Sequence, residues 1–245
     1  MLTAAEAHRA MEALPVADLD AVLGGRDPLV LAPHADDESL GCGGLLAACA
    51  AQGRRPYVLV LTDGTGSHPN SRAYPPERLR ALREAEAREA VGILGVPPGR
   101  VGFLGLRDAA APRAGPAFEA AVGAVAAALR ERGCGAVLAP WRHDPHCDHE
   151  AAHLMAAAAA RRTGAPHLAY PVWGWTLPGE RRLAGPAPAG WRLDIARHLA
   201  AKRRAIAAHA SQHAGLITDD PTGFRLPPAL LDRFAAPYET FISAP

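Results

Sequence analysis

LVLAPHADDESLGCGGLLA, residues 29–47, is the stretch from which the fold of this chain can be read. Leu29-Val30-Leu31-Ala32 is a short apolar run of the kind that makes a buried strand. Leu45-Leu46-Ala47 sits on a helical pattern. Between them lie Pro33, His34, Asp36, Asp37 and Glu38. A strand-to-helix turn of an α/β protein stands at the carboxyl edge of the sheet, where ligands bind. One imidazole and three carboxylates crowded there are costly unless something positive joins them. A divalent metal held by His and Asp is the natural candidate.

The alternation continues outward from this stretch. Helix is expected over 36–51, strand over 57–61, helix over 76–94 and strand over 101–104. Helix follows over 116–132, strand over 136–139, helix over 149–162 and a fifth strand near 168–173. Residues 191–195 read as a sixth strand and 196–210 as a helix. Such alternation implies an α/β, Rossmann-like three-layer sandwich with a mostly parallel central sheet and right-handed crossovers. Its active site is expected at the C-terminal edge of the strands. Two short helices, 4–14 and 17–24, make residues 1–27 a helical N-terminal extension. Residues 213–245, with four prolines before Pro245, read as an irregular tail. A single domain over 1–245 is expected, since the length suffices for one large core.

Composition excludes several classes. The chain is 49% hydrophobic and 21% charged, with a net charge of +1, so neither nucleic acid nor an anionic membrane is indicated as a partner. No apolar run reaches the ~20 residues of a membrane span. The start, MLTAAEAHRAMEALP, lacks the basic-then-apolar signal pattern, and the expected location is cytoplasmic. The four cysteines show no C-x-x-C spacing. Alanine-rich helices pack equally well inside a monomer or across an interface, so the oligomeric state is left open.

Polar residues follow the strands. His34, Asp36 and Asp37 come after the first, Asp63 after the second and Asp108 after the third. Arg142, His143, Asp144, His146, Asp148 and His149 come after the fourth. One sheet edge therefore gathers all of them. His34 and Asp37, three apart at a helix entrance, can reach one point, and His146 or His149 would complete a three-ligand catalytic zinc site. The plainer alternative is that Asp36, Asp37 and Glu38 cap the helix and complement its dipole. Two such runs on one sheet edge argue against that. Gly41, Gly43 and Gly44 fall inside the helix rather than in the turn, so they suit close packing better than phosphate binding.

These residues carry a resemblance. Pro33-His34-Ala35-Asp36-Asp37-Glu38 resembles the P-H-P-D-D-E of the PIG-L/LmbE-like family of metal-dependent de-N-acetylases. Asp144-Pro145-His146-Cys147-Asp148-His149 is similar to its D-x-H-x-D-H, and Arg83, Glu86, Ala90, Leu94 and Gly95 fit its helix motif. Weaker echoes are Phe103 to Leu106 with Asp108, and Lys202 through His209 to Gln212. Ala35 stands where the family usually has Pro. The resemblance implies zinc ligands His34, Asp37 and His149, one ion per chain, with iron(II) able to take the same donors. It implies Asp36 as general base, His146 as oxyanion or leaving-amine partner, Asp148 as the residue orienting His146, and Arg83 as a substrate contact.

The implied reaction is removal of acetyl from an N-acetylglucosamine-type conjugate by zinc-activated water. Trp141, Trp173 and Trp175 could stack on a sugar ring, Arg142 and Arg83 could meet a hydroxyl or phosphate, and Asp63 and Asp108 face the same edge. One rival keeps the metal but cleaves a bulkier amide. Another is a non-catalytic binding module, which would not need every site residue present. A phosphoester hydrolase usually wants two bridged metals, and one ligand set is visible.

Overall fold

The computed structural model describes residues 1–244. The elements are β1 (Leu2–Thr3), α1 (Ala4–Glu12), β2 (Val16–Ala17), α2 (Leu19–Leu23), β3 (Pro28–Ala32) and α3 (Asp37–Ala51). Next come β4 (Tyr57–Thr62), α4 (Pro76–Ile93), β5 (Val101–Leu106), α5 (Gly115–Glu131), β6 (Ala136–Pro140), α6 (Cys147–Thr163) and β7 (His167–Tyr170). The chain ends with β8 (Arg182–Leu183), β9 (Gly190–Asp194), α7 (Leu199–Ala208), α8 (Ala210–His213), α9 (Pro228–Phe234) and β10 (Tyr238–Ala244).

Eight strands form the central sheet in the order β2-β9-β10-β7-β6-β3-β4-β5. The run from β7 through β6, β3 and β4 to β5 is parallel, as the alternation requires. β3 is buried along its whole length, and its side chains divide by parity. Val30 and Ala32 enter the core shared with α3 and α4, whereas Leu29 and Leu31 enter the core under α5 and α6. A strand covered on both faces reads as a continuous apolar run, which is why no polar alternation marks it. From β3 the chain moves to β4 and β5 on one side, then returns to β6 on the other. The crevice between β3 and β6 is thus the switch point where α/β sheets bind ligands.

α3 lies close to the sheet because its glycines offer no side chain. A Cβ on Gly41 would stand 2.2 Å from Tyr170 Cδ2, and one on Gly44 would stand 2.4 Å from Ile195 Cγ2.

Two expectations are corrected. The tail 213–245 is not irregular: it carries α9 and β10. β10 lies inside the sheet, antiparallel to both β7 and β9. Pro221, Pro227, Pro228 and Pro237 precede the strand, and the buried Glu239 breaks the apolar run that would have announced it. The N-terminal extension is not purely helical either, since β2 joins β9 at the sheet edge and β1 pairs with β8.

Candidate active site

The C-terminal ends of β3, β5 and β6 enclose a cavity of about 180 Å³. His34, Asp36, Asp37, Arg83, Asp108 and His146 line its polar side. Leu40, Trp173, Phe224 and Leu226 are its large apolar lining residues. Asp37 begins α3, and Asp36 just before it makes no side-chain capping bond. Capping therefore does not account for Asp36. Its backbone, at φ 159° and ψ −27°, lies in a sparsely populated region for a residue with a Cβ.

Asp37 Oδ2 is the centre of the cluster. His34 Nδ1 lies 3.2 Å from it and His149 Nε2 lies 3.2 Å from it. The second nitrogen of each imidazole is held from behind by carboxylate. His149 Nδ1 is 3.0 Å from Asp144 Oδ2. His34 Nε2 is 3.2 Å from Asp148 Oδ2 and 3.3 Å from Asp108 Oδ1. If the backing nitrogen carries the proton, both lone pairs point at an anionic oxygen. His149 Nε2 is indeed buried without a hydrogen-bond partner. Such an arrangement is repulsive unless a cation stands between. Ligands at ~2.0–2.1 Å in near-tetrahedral geometry lie roughly 3.3 Å apart, which these spacings match. Backing carboxylates are the usual outer partners of metal-bound imidazoles. One nitrogen from each of His34, His146 and His149 also falls within 4.8 Å of the others. The residues present therefore fit a metal ion.

The same carboxylates favour protons on the imidazoles. Burial opposes a charge on His149, but Asp37 and Asp144 raise its pKa to about 9. Burial likewise opposes His34, yet Asp108, Asp148 and Asp37 push it well above its usual value. Asp37 is held well below the carboxylate range by the two imidazoles, against the effect of burial.

Asp36 behaves differently. Burial raises its pKa to about 6, with the Arg83 guanidinium pulling the other way. Arg83 Nη2 stands 3.8 Å from Asp36 Oδ2 and donates to Ala35 O at 3.0 Å, while Nη1 donates to Gly64 O. Arg83 is thus spoken for on two carbonyls, with Nη2 also facing the Asp36 carboxylate. His146 Nδ1 accepts the Asp148 N–H at 3.2 Å, which places its proton on Nε2. Burial and the neighbouring His34 and His149 lower its pKa, so it is a neutral donor near pH 7.

Five expectations about site residues change, at Asp148, Asp63, Trp141, Arg142 and Trp175. Asp148 does not orient His146 through its carboxylate, which instead holds His34 and accepts the N–H groups of Ala109 and Ala111; only its backbone meets His146. Asp63 accepts from Thr65 and from the Asp108 N–H, so it shapes the loop bearing Asp108 and does not line the cavity. Trp141 is buried against α1 and β10, outside the cavity lining. Arg142 turns outward to Ala184 O and His143. Of the three tryptophans, Trp173 alone lines the cavity.

The sequence did not single out Asp144 as a support. It accepts the N–H groups of Val172, Trp173 and Gly174 as well as meeting His149, so it ties the site to the loop after β7. The D-x-H-x-D-H spacing was the available signal. Phe224 and Leu226 carried no signal at all. Their segment is fixed by Asp219, which accepts from Ser71 Oγ and from the Arg72 and Ala73 N–H groups.

Among the described residues, no helix is long and apolar enough to cross a membrane. Residues 29–160, more than half of the chain, match the family described as PIG-L, GlcNAc-PI de-N-acetylase. A 1D-myo-inositol 2-acetamido-2-deoxy-alpha-D-glucopyranoside deacetylase from Rhodococcus erythropolis is 29% identical over 80% of this chain and 82% of its own. A conserved protein of Thermus thermophilus, known from its crystal structure, superposes with a TM-score of 0.65 at 28% identity, covering 90% of this chain and 95% of that one. The N,N'-diacetylchitobiose deacetylase of Pyrococcus horikoshii shares the fold, with a TM-score of 0.66 at 20% identity over 96% of this chain and 88% of that one.

Proposed function

The chain belongs to the PIG-L, GlcNAc-PI de-N-acetylase family, and on that premise we propose that it is a zinc-dependent N-deacetylase acting on an N-acetylglucosamine-type conjugate. The observation that carries this reading is the pair of imidazole nitrogens facing one Asp37 oxygen at 3.2 Å, with Asp36 beside them unbonded to either. His34, Asp37 and His149 would hold one ion. When bound, zinc supplies Lewis acidity, polarising an amide carbonyl and lowering the pKa of water toward ~7.

The chain's own residues divide the proton traffic. Asp36, whose pKa burial raises to about 6, takes a proton from the attacking water. Attack leaves a tetrahedral oxyanion, and the His146 Nε2–H donates to it. The leaving amine then needs a proton. Asp36 has just acquired one, whereas His146 is neutral and holds only the proton it donates, so Asp36 returns it to the nitrogen. Arg83 keeps Asp36 in place through the Ala35 carbonyl. Trp173 and Phe224, ring centroids 5.8 Å apart, offer an aromatic corner to the apolar face of a sugar.

The test is metal analysis of the purified protein, with amine release measured on N-acyl glucosaminides of increasing acyl length. One zinc per chain and release from the acetyl substrate are expected. Release confined to longer acyl groups would favour the bulkier amide, and metal without release from any would overturn the reading. In Asp36→Asn the metal should remain while turnover falls by about 10²–10⁴-fold.

A further inference from the structure

A second cavity, of about 290 Å³, shares only Leu40 with the candidate active site. Its lining includes two buried charges, Lys202 at 1% exposure and Glu239 at 3%. Lys202 Nζ donates to Glu239 Oε1 at 2.7 Å, its one hydrogen bond among the described residues. The ammonium also lies over the Phe234 ring at 5.4 Å, and with three donors it can take a further acceptor. Glu239 does not belong to Lys202 alone. Its two oxygens also accept the N–H groups of Gly44 and Leu45 in α3, at 2.7 and 2.8 Å.

Two guanidinium groups face the same space. Arg192 lies over the Tyr238 ring at 4.9 Å and uses its Nε–H on Leu14 O. Arg233 lies over Trp175 at 3.7 Å and donates to Glu12. The lining therefore holds three cations against two carboxylates, an excess of one positive charge. Leu40, Phe234 and Trp175 supply apolar wall.

We propose that this cavity binds a small organic carboxylate, its head group on Lys202 and Arg192 and its apolar body against Phe234 and Trp175. A single negative charge balances the lining, and a carboxylate accepts from both an ammonium and a guanidinium edge. An anion of higher charge and no apolar part would match neither the charge count nor the walls. The proposal is independent of the reaction assigned to the other cavity.

The test is calorimetric titration of the full-length, metal-loaded protein with sodium benzoate at constant ionic strength, with inorganic phosphate as the second probe. Saturable one-site binding of benzoate is expected, weakened about tenfold in Arg192→Gln, where one charge-assisted contact is lost. Arg233→Gln, also at a partly exposed position, provides a second variant should the first unfold. Binding should persist in His149→Ala, whose side chain lies outside this cavity. Absence of saturable benzoate binding would overturn the proposal. So would binding that is lost in His149→Ala and kept in both arginine variants, or phosphate binding as tightly as benzoate.

Discussion

Asp144 does not line the cavity, yet its carboxylate meets His149, the histidine proposed above as a metal ligand. With the proton on His149 Nδ1, that carboxylate accepts it and the Nε2 lone pair is aimed at Asp37 Oδ2. Asp144→Asn should keep the loop bonds in part while weakening the hold on the imidazole. Metal affinity is expected to fall about 10–100-fold, measured by competition with a chelator. Unchanged affinity would show that His149 needs no such support. Asp36 gives a second prediction at this scale. Burial raises its pKa to about 6, so the base form is present above that value and lost below it. The acid limb of kcat/KM should therefore fall about tenfold per pH unit, with an inflection at about 6 or lower, because a bound cation nearby lowers the value further. A flat profile down to about pH 4, near the ordinary carboxylate value, would remove Asp36 as the base. That His34, Asp36 and Asp37 gather in one place was legible because they are neighbours in one turn. The backing of His34 was not, since Asp148 is 114 residues away and its carboxylate could have turned to either histidine.

At the scale of the element, α3 does two jobs. Its first turn carries Asp37, and its glycine face lets the helix settle against Tyr170 and Ile195. Tyr170 cannot retreat, because it is fully buried and its hydroxyl donates to Leu31 O at 2.8 Å. Gly41→Ala should thus overpack the interface at a cost of ~1–3 kcal/mol. Differential scanning calorimetry should show a Tm lower by several degrees. An unchanged Tm would mean that helix and sheet are less closely fitted than the 2.2 Å approach indicates. The packing purpose of these glycines could be read from their place inside the helical pattern. What they pack against could not, because Tyr170 and Ile195 reach α3 only after the sheet is ordered.

For the whole molecule, the decisive element is the last one. β10 separates β7 from β9 and brings Glu239 to Lys202. A chain ending at Ala236 would leave two strand edges unpaired and a buried ammonium without its partner. Losing one member of a buried pair costs ~3–5 kcal/mol, a large share of the ~5–15 kcal/mol that holds a typical protein folded. The truncated chain is expected to lose cooperative unfolding by circular dichroism, and a cooperative transition near that of the full chain would refute this. By itself the sequence determined the parallel half of the sheet and the donors that meet at its edge. Both are written in local patterns, an apolar run before each turn and close spacing within it. Only the tertiary structure decided the rest: that β10 enters the sheet, that Asp148 serves His34, and that Trp141 and Arg142 turn away from the cavity. Those outcomes depend on which distant segments meet once the core has closed, and no local period or spacing carries that choice.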